Sequence, residues 1–307
     1  MSDPDTSGPG GRSERPTRQT VAGRAYLDLQ NLARRQHRPT DELHELYALE
    51  GFLARLAGSP HADRLVLKGG VLLAAYDARR PTRDVDMQAR EMSNQAAEIL
   101  QVVREIAGVA MDDGLVFDTA GASAEVIRDE DSTAACGHAD RTLSAARLSL
   151  HVDINVGDPI WPAPRRVELP RLLGGVIRLS GYPLHMIYAE KIVTAVQRGT
   201  ANTRWRDFAD LYLLIGRHPI AGGDLQQALA AVADYRRADL APLSDVLDGY
   251  AGLAQARWVA WRYRHRLEDR LPEPFAHVLT SVTAFADPAL RADVADRTWD
   301  PDARAWR

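Results

Sequence analysis

Two carboxylates stand with one residue between them in Thr82-Arg83-Asp84-Val85-Asp86, shortly after the glycine pair of Leu67-Lys68-Gly69-Gly70-Val71. In an extended strand, positions two apart share a face, so Asp84 and Asp86 project together while Val85 points into the core. Upstream, Leu65-Val66-Leu67 reads as a strand that breaks at the glycines and restarts as a helix from Val71 to Tyr76. Glycines there let backbone N–H groups approach an anion closely, at a helix N-terminus that favours negative charge. Paired carboxylates beside a phosphate-binding turn are what a Mg²⁺-dependent phosphoryl or nucleotidyl transfer needs. Two other readings stand beside this one. The acids could be solvent-facing partners of Arg79, Arg80 or Arg83, or a D-x-D holding a metal-bound sugar nucleotide.

Further along, Ala146 to Val156 alternates cleanly. Leu148, Leu150, Val152, Ile154 and Val156 share one face; Ser149, His151, Asp153 and Asn155 share the other, as in a half-buried strand. Aspartate is depleted in strands, so Asp153 between Val152 and Ile154 calls for a reason. Lysine occurs only at Lys68 and Lys191, although Lys and Arg total 38. A lysine ammonium is a compact point charge suited to a phosphate in a crowded site. Lys191 could equally snorkel along the edge of a helix's apolar stripe.

Taken together, Gly69-Gly70, Asp84-Val85-Asp86, Val152 to Pro159, Ala189-Glu190-Lys191 and Asn202 to Leu211 resemble the AbiEii/AbiGii-type nucleotidyltransferase toxins of bacterial toxin–antitoxin systems. The likeness runs over roughly residues 40 to 215. It implies an α+β fold: a polymerase-β-type core, a mixed sheet with helices, followed by a mostly helical C-terminal half. It implies two Mg²⁺ ions, with Mn²⁺ as an alternative, held by Asp84, Asp86 and Asp153, the last helping to deprotonate the attacking hydroxyl. The nucleotide would be held by Lys68, Gly69, Gly70, the Val71 backbone, Lys191, Arg204, Asp207 and Asp210, with Lys191 and Asp207 also catalytic. The implied reaction moves NMP from an NTP to an RNA hydroxyl, at a tRNA 3′ end, releasing pyrophosphate. The implied partners are a cognate antitoxin and the RNA, with no membrane. The alternatives are a weakly active or inactive relative that binds nucleotide or RNA, and an enzyme acting on a protein or small-molecule hydroxyl. One departure stands out: the family's usual Ser or Thr after the glycine pair is Val71 here.

Two further sites are expected. Phosphorylation of Thr82 would add nearly two negative charges beside the carboxylates and switch the enzyme off. Arg257, Arg262, Arg264 and Arg266 share one helical stretch with Trp258, Trp261 and Tyr263, a mix that suits RNA backbone and unpaired bases. The competing reading is an amphipathic helix that buries its tryptophans.

The elements that position these groups follow from pattern. Residues 1 to 18 are polar, Gly-, Ser- and Pro-rich, and are expected to be a disordered tail. Helices are expected at Val21–Arg35 and from Thr40 to about Gly58. A nucleotidyltransferase core should occupy 19–160, with strands near 65–67, 84–88, 115–118 and 124–128, a helix at 93–107, and a polar loop at 129–137. Pro159 to Pro170 reads as a crossover into a helical domain, 161–307, that completes the nucleotide pocket. Its helices are expected at 183–198, 203–216, 224–237, 243–270 and 275–285. With 307 residues, 45% of them hydrophobic, the chain can bury a sizeable core. Its net charge of −4 confines any nucleic-acid contact to a local patch. Cys136 is the single cysteine, which excludes an internal disulfide framework and a cysteine zinc cluster. The N-terminus has no apolar h-region and no apolar run approaches bilayer length, so a cytoplasmic protein is expected.

Overall fold

A computed structural model of the protein describes residues 15–129 and 132–307. Most of the expected N-terminal tail, residues 1–14, lies outside them. The chain enters through α1 (Val21–Gln36), capped by Thr20, whose hydroxyl accepts the Gly23 N–H at 3.0 Å, and α2 (Thr40–Ala57). The core follows as β1 (Leu65–Lys68), α3 (Gly69–Leu72), β2 (Asp84–Ala89), α4 (Ala96–Ala107), β3 (Leu115–Phe117), β4 (Ser123–Asp129), β5 (Ser132–Leu143) and β6 (Ala146–Val156). Then come β7 (Arg165–Pro170), β8 (Val176–Gly181), α5 (Leu184–Arg198), α6 (Trp205–Ile215), β9 (Ile220–Ala221) and α7 (Gly222–Arg236). The chain ends with α8 (Leu243–Val246), α9 (Tyr250–Arg264), α10 (Phe275–Leu290), β10 (Thr298–Asp300) and β11 (Ala305–Trp306).

Among the described residues, eight strands form one mixed sheet in the order β3-β5-β6-β2-β1-β8-β7, with β4 beside β5. β2 runs antiparallel to β1 and parallel to β6. The apolar side chains of the central strands, Val85, Met87, Val152 and Ile154, are fully buried. Each is worth roughly 2 kcal/mol of transfer free energy, so a one-residue slip that exposed them is strongly disfavoured. α2 and α4 cover this face: a Cβ on Gly137 would meet Val103 of α4 at 3.0 Å, and Phe52 of α2 lies against Phe117 of β3. The opposite face carries the acids and faces α5.

The mixed sheet and the helical C-terminal half agree with the expected class. Three local expectations do not hold. The loop expected at 129–137 is the start of β5, which pairs with β4 from Ser123↔His138 to Asp129↔Ser132; the connecting residues 130 and 131 lie outside the described ones. The proline-rich crossover contains β7, which pairs with β8 in a hairpin, and β8 adds to the sheet parallel to β1 through Leu67↔Gly181. The sheet therefore extends to Gly181, and the helical half begins at Leu184. The long helix expected at 243–270 is broken at Gly249, where φ is +73°, a value glycine adopts at no steric cost. No helix among the described residues is long and apolar enough to cross a membrane.

Candidate active site

The sheet register assembles the acids. Asp86 of β2 lies beside Asp153 of β6, and Asp84 beside His151. On the other side of β2, Lys68 of β1 is the Cα partner of Asp86. Facing pairs on adjacent strands point the same way, so Lys68, Asp86 and Asp153 form a row across three strands. Asp84, Asp86 and Asp153 are each half-buried. Burial pushes the Asp86 carboxyl up to about 6, and Asp153 and Asp84 add to the rise while Lys68 opposes it. Among the described residues, no group of three or more His, Cys, Asp or Glu side chains is placed so that it could hold a metal ion.

The glycine turn is shaped around these groups. Gly69 has φ +67°, and a Cβ there would lie 1.9 Å from the Asp86 Oδ2. Glycine at 69 is thus required both by backbone conformation and by the space the carboxylate occupies. A Cβ on Gly70 would meet Thr82 Oγ1 at 2.8 Å and Arg80 Nη1 at 3.0 Å. Val71 turns inward: its side chain is buried in the hydrophobic core. Only its backbone belongs to the turn, so a hydroxyl at this side-chain position would face apolar neighbours.

Both lysines reach the site, and each is already paired. Lys68 Nζ lies 3.4 Å from Glu190 Oε1, 3.5 Å from Asp158 Oδ2 and 5.6 Å from the centre of the Tyr182 ring. Asp158 also accepts a weak hydrogen bond from Asn155. Lys191 Nζ donates to Asp207 Oδ1 at 2.6 Å and to Asp210 Oδ2 at 2.9 Å. Burial works against the Lys191 charge, yet Asp207 and Asp210 hold its pKa above the ordinary lysine value. Lys191 therefore belongs to a buried ion-pair network and does not snorkel to solvent. Adjacent residues of α5, Glu190 and Lys191, join the two lysine networks.

Arg80 completes the second network and was not legible as a site residue. It lies on the connector between α3 and β2 and is 8% exposed. Its Nε and Nη2 grip both oxygens of Asp210, at 2.7 and 3.1 Å. Burial disfavours the Asp210 charge, but Arg80 and then Lys191 outweigh it and hold the carboxyl below its usual range. Arg80 also reaches the Gly70 turn, so one guanidinium links the glycine loop to α6.

Other expected residues are placed differently. Arg204 is exposed at the N-cap of α6, and Asp207 pairs with Lys191. Thr82 is near the site but buried, with its hydroxyl 3.5 Å from the Asp84 carbonyl oxygen. A modifying enzyme could reach it only if the connector lifted away. Arg262 is a structural residue: Nε and Nη2 donate to the Leu271 and Glu268 carbonyls. Trp258 is fully buried with its indole N–H on the Pro272 carbonyl, as the core reading of that helix expects. Arg257, Arg264 and Arg266 are exposed.

The mixed sheet brings Asp84, Asp86 and Asp153 to one face beside a glycine turn, the arrangement expected from the sequence. The chain matches the model of the AbiEii family, nucleotidyl transferase toxins of type IV toxin–antitoxin systems, over residues 51–302, and belongs to that family. Membership implies an antitoxin partner. Two Helicobacter pylori crystal structures are similar at a distance. A candidate nucleotidyltransferase shares 15% identity at a TM-score of 0.48, covering 83% of this chain and 98% of its own. The JHP933 protein shares 15% identity at a TM-score of 0.48, covering 87% and 94%. Neither adds to the family assignment. No curated protein shows a significant match.

Proposed function

We propose that the protein transfers a nucleoside monophosphate from an NTP to a hydroxyl of an RNA 3′ end, as a toxin restrained by its antitoxin. The observation that carries this reading is the register placing Asp86 beside Asp153, with the Asp86 carboxylate seated against Gly69. The acceptor oxygen attacks the α-phosphorus, the new P–O bond forms, and the α–β phosphoanhydride bond breaks to release pyrophosphate. The hydroxyl proton passes to Asp153 and on to solvent.

The residues fit a hard divalent cation. Asp84, Asp86 and Asp153 offer oxygen donors only; burial, with a smaller contribution from Asp153 and Asp84, raises Asp86 and favours a compensating positive charge. These three would hold Mg²⁺ or Mn²⁺. When bound, it would polarise phosphoryl oxygens and lower the pKa of the attacking hydroxyl. The N–H groups of the Gly69–Val71 turn would receive phosphate oxygens. Lys191, held by Asp207 and Asp210, would present a fixed ammonium to the triphosphate. Arg204, exposed at the α6 N-cap, would close over the nucleotide. Lys68 would balance the acids next to Asp86.

The test is incubation with each labelled NTP, Mg²⁺ and total RNA. Label entering small RNA with one NTP, with pyrophosphate released and EDTA abolishing both, is the expected result. Label on protein or on a small molecule alone would replace the RNA acceptor, and no transfer from any NTP would remove the proposal.

A further inference from the structure

The end of α9 is fastened to two other parts of the chain. Arg266 donates to the His37 carbonyl oxygen at 2.5 Å, just past the last turn of α1. Arg270 donates to the Arg79 carbonyl oxygen at 2.8 Å, next to Arg80. These contacts gather arginines from separate elements. Burial keeps His265 below its ordinary value, and Arg206, Arg264 and Arg80 lower it further against one acid, Glu42. Burial likewise lowers Arg270, with Arg217 and Arg38 adding and Asp210 opposing. The opposing acids are engaged: Glu42 with Arg38 at 2.5 Å, Asp210 with Arg80 and Lys191. Glu268 and Asp269 are exposed on the same turn and moderate the charge without cancelling it. Beside the arginines Tyr263 is 75% exposed.

This seam leads to the site. Arg206 directly precedes Asp207 on α6, and Arg80 reaches the Gly70 turn. A chain of net charge −4 thus gathers arginines from α6, α9 and the α3–β2 connector around His265 and Arg270. Exposed guanidinium forks match phosphate oxygens, and an exposed phenol ring offers a platform for an unpaired base.

We propose that the seam of Arg206, Arg264 and Arg266, with Tyr263, is the docking surface for the single-stranded 3′ end of an RNA acceptor. The inference rests on the transfer reading above and assigns the path by which the acceptor reaches the carboxylates. Arg262, buried in its own carbonyl contacts, takes no part.

The test is fluorescence anisotropy with a 5′-labelled single-stranded oligoribonucleotide ending in a free 3′-hydroxyl, titrated with the full chain at several salt concentrations. The double variant Arg206→Gln/Arg264→Glu should weaken binding at least tenfold and reduce the salt slope by roughly 1 to 2. Tyr263→Ala should weaken it fivefold or more. Arg178→Glu, on strand β8, should stay within twofold of the unaltered chain. NTP affinity, measured by calorimetry on the same variants, should change less than twofold. Seam variants that bind the oligonucleotide like the unaltered chain would overturn the proposal. So would an equal loss in Arg178→Glu, or seam variants that keep RNA affinity but lose a co-expressed antitoxin. If the oligonucleotide is lost with the seam but no NTP is ever transferred, the docking surface stands and the transfer reading falls.

Discussion

Asp86 carries the sharpest consequence of the side-chain geometry. Its carboxyl is raised to about 6, burial being the largest cause. The folded protein therefore takes up this proton as pH falls through about 6, before the unfolded chain does near 4. Above both values the folded state bears a charge it disfavours, and below them the penalty is gone. Asp86→Asn should then stabilise the protein by on the order of 2 kcal/mol at pH 7.5, with the gain vanishing near pH 4. Urea titrations at the two pH values check this; a destabilised variant at pH 7.5 would show that Asp86 is better satisfied than its surroundings indicate. Lys191 behaves in the opposite sense. Lys191→Ala would leave Asp207 unpaired and Asp210 with Arg80 alone, at a cost of roughly 3 kcal/mol. It should also weaken NTP binding strongly, whereas Lys191→Arg should recover stability better than NTP affinity. Calorimetry beside urea unfolding separates the two, and an alanine variant with native NTP affinity would make the lysine purely structural. The pairing of Asp84 with Asp86 was legible because a period of two needs only local sequence. The grip of Arg80 on Asp210 was not, because its partners are 130 residues apart and no local pattern encodes them.

Elements obeyed the same division. β6 could be read from its alternation, and α1 from its apolar stripe and Thr20 cap. β5 could not, because Ser132-Thr133-Ala134-Ala135-Cys136-Gly137 has the composition of a loop and becomes a strand through its neighbours β4 and β6. β7 and β8 were hidden by flanking prolines and glycines, which also mark hairpins. The glycine turn into α3 was located correctly, but its third residue faces inward. Val71→Ser should therefore cost about 1–2 kcal/mol through lost burial and an unsatisfied hydroxyl, with no gain in NTP affinity. Tighter NTP binding in that variant would mean the side chain swings out to the phosphates. Gly69→Ala is a harsher change: the new methyl group must displace the Asp86 carboxylate and accept a positive φ. Transfer should fall at least a hundredfold while circular dichroism stays native. Near-normal transfer would show that the turn has room to shift.

At the scale of the whole molecule, the sheet supplies the acids, α5 and α6 supply Lys191, Asp207 and Asp210, and the α3–β2 connector ties the two halves through Arg80 and Asp210. The helical half is thus tied to the sheet by ion pairs and belongs to the candidate site in the proposed reading. The path of the chain between Lys191 and the sheet was not legible, since β7 and β8 intervene. The central claim is that Asp84, Asp86 and Asp153, on one face of β2 and β6, are a nucleotidyl-transfer centre. The most direct measurement is transfer of radiolabel from α-labelled NTPs to RNA by the unaltered protein and by Asp84→Ala, Asp86→Ala and Asp153→Ala. Thermal unfolding would be recorded on the same samples. Label on RNA is expected from the unaltered protein with at least one NTP. A loss of at least a thousandfold is expected in each variant, with cooperative unfolding retained. Transfer persisting near the unaltered rate in any correctly folded one of the three would contradict it.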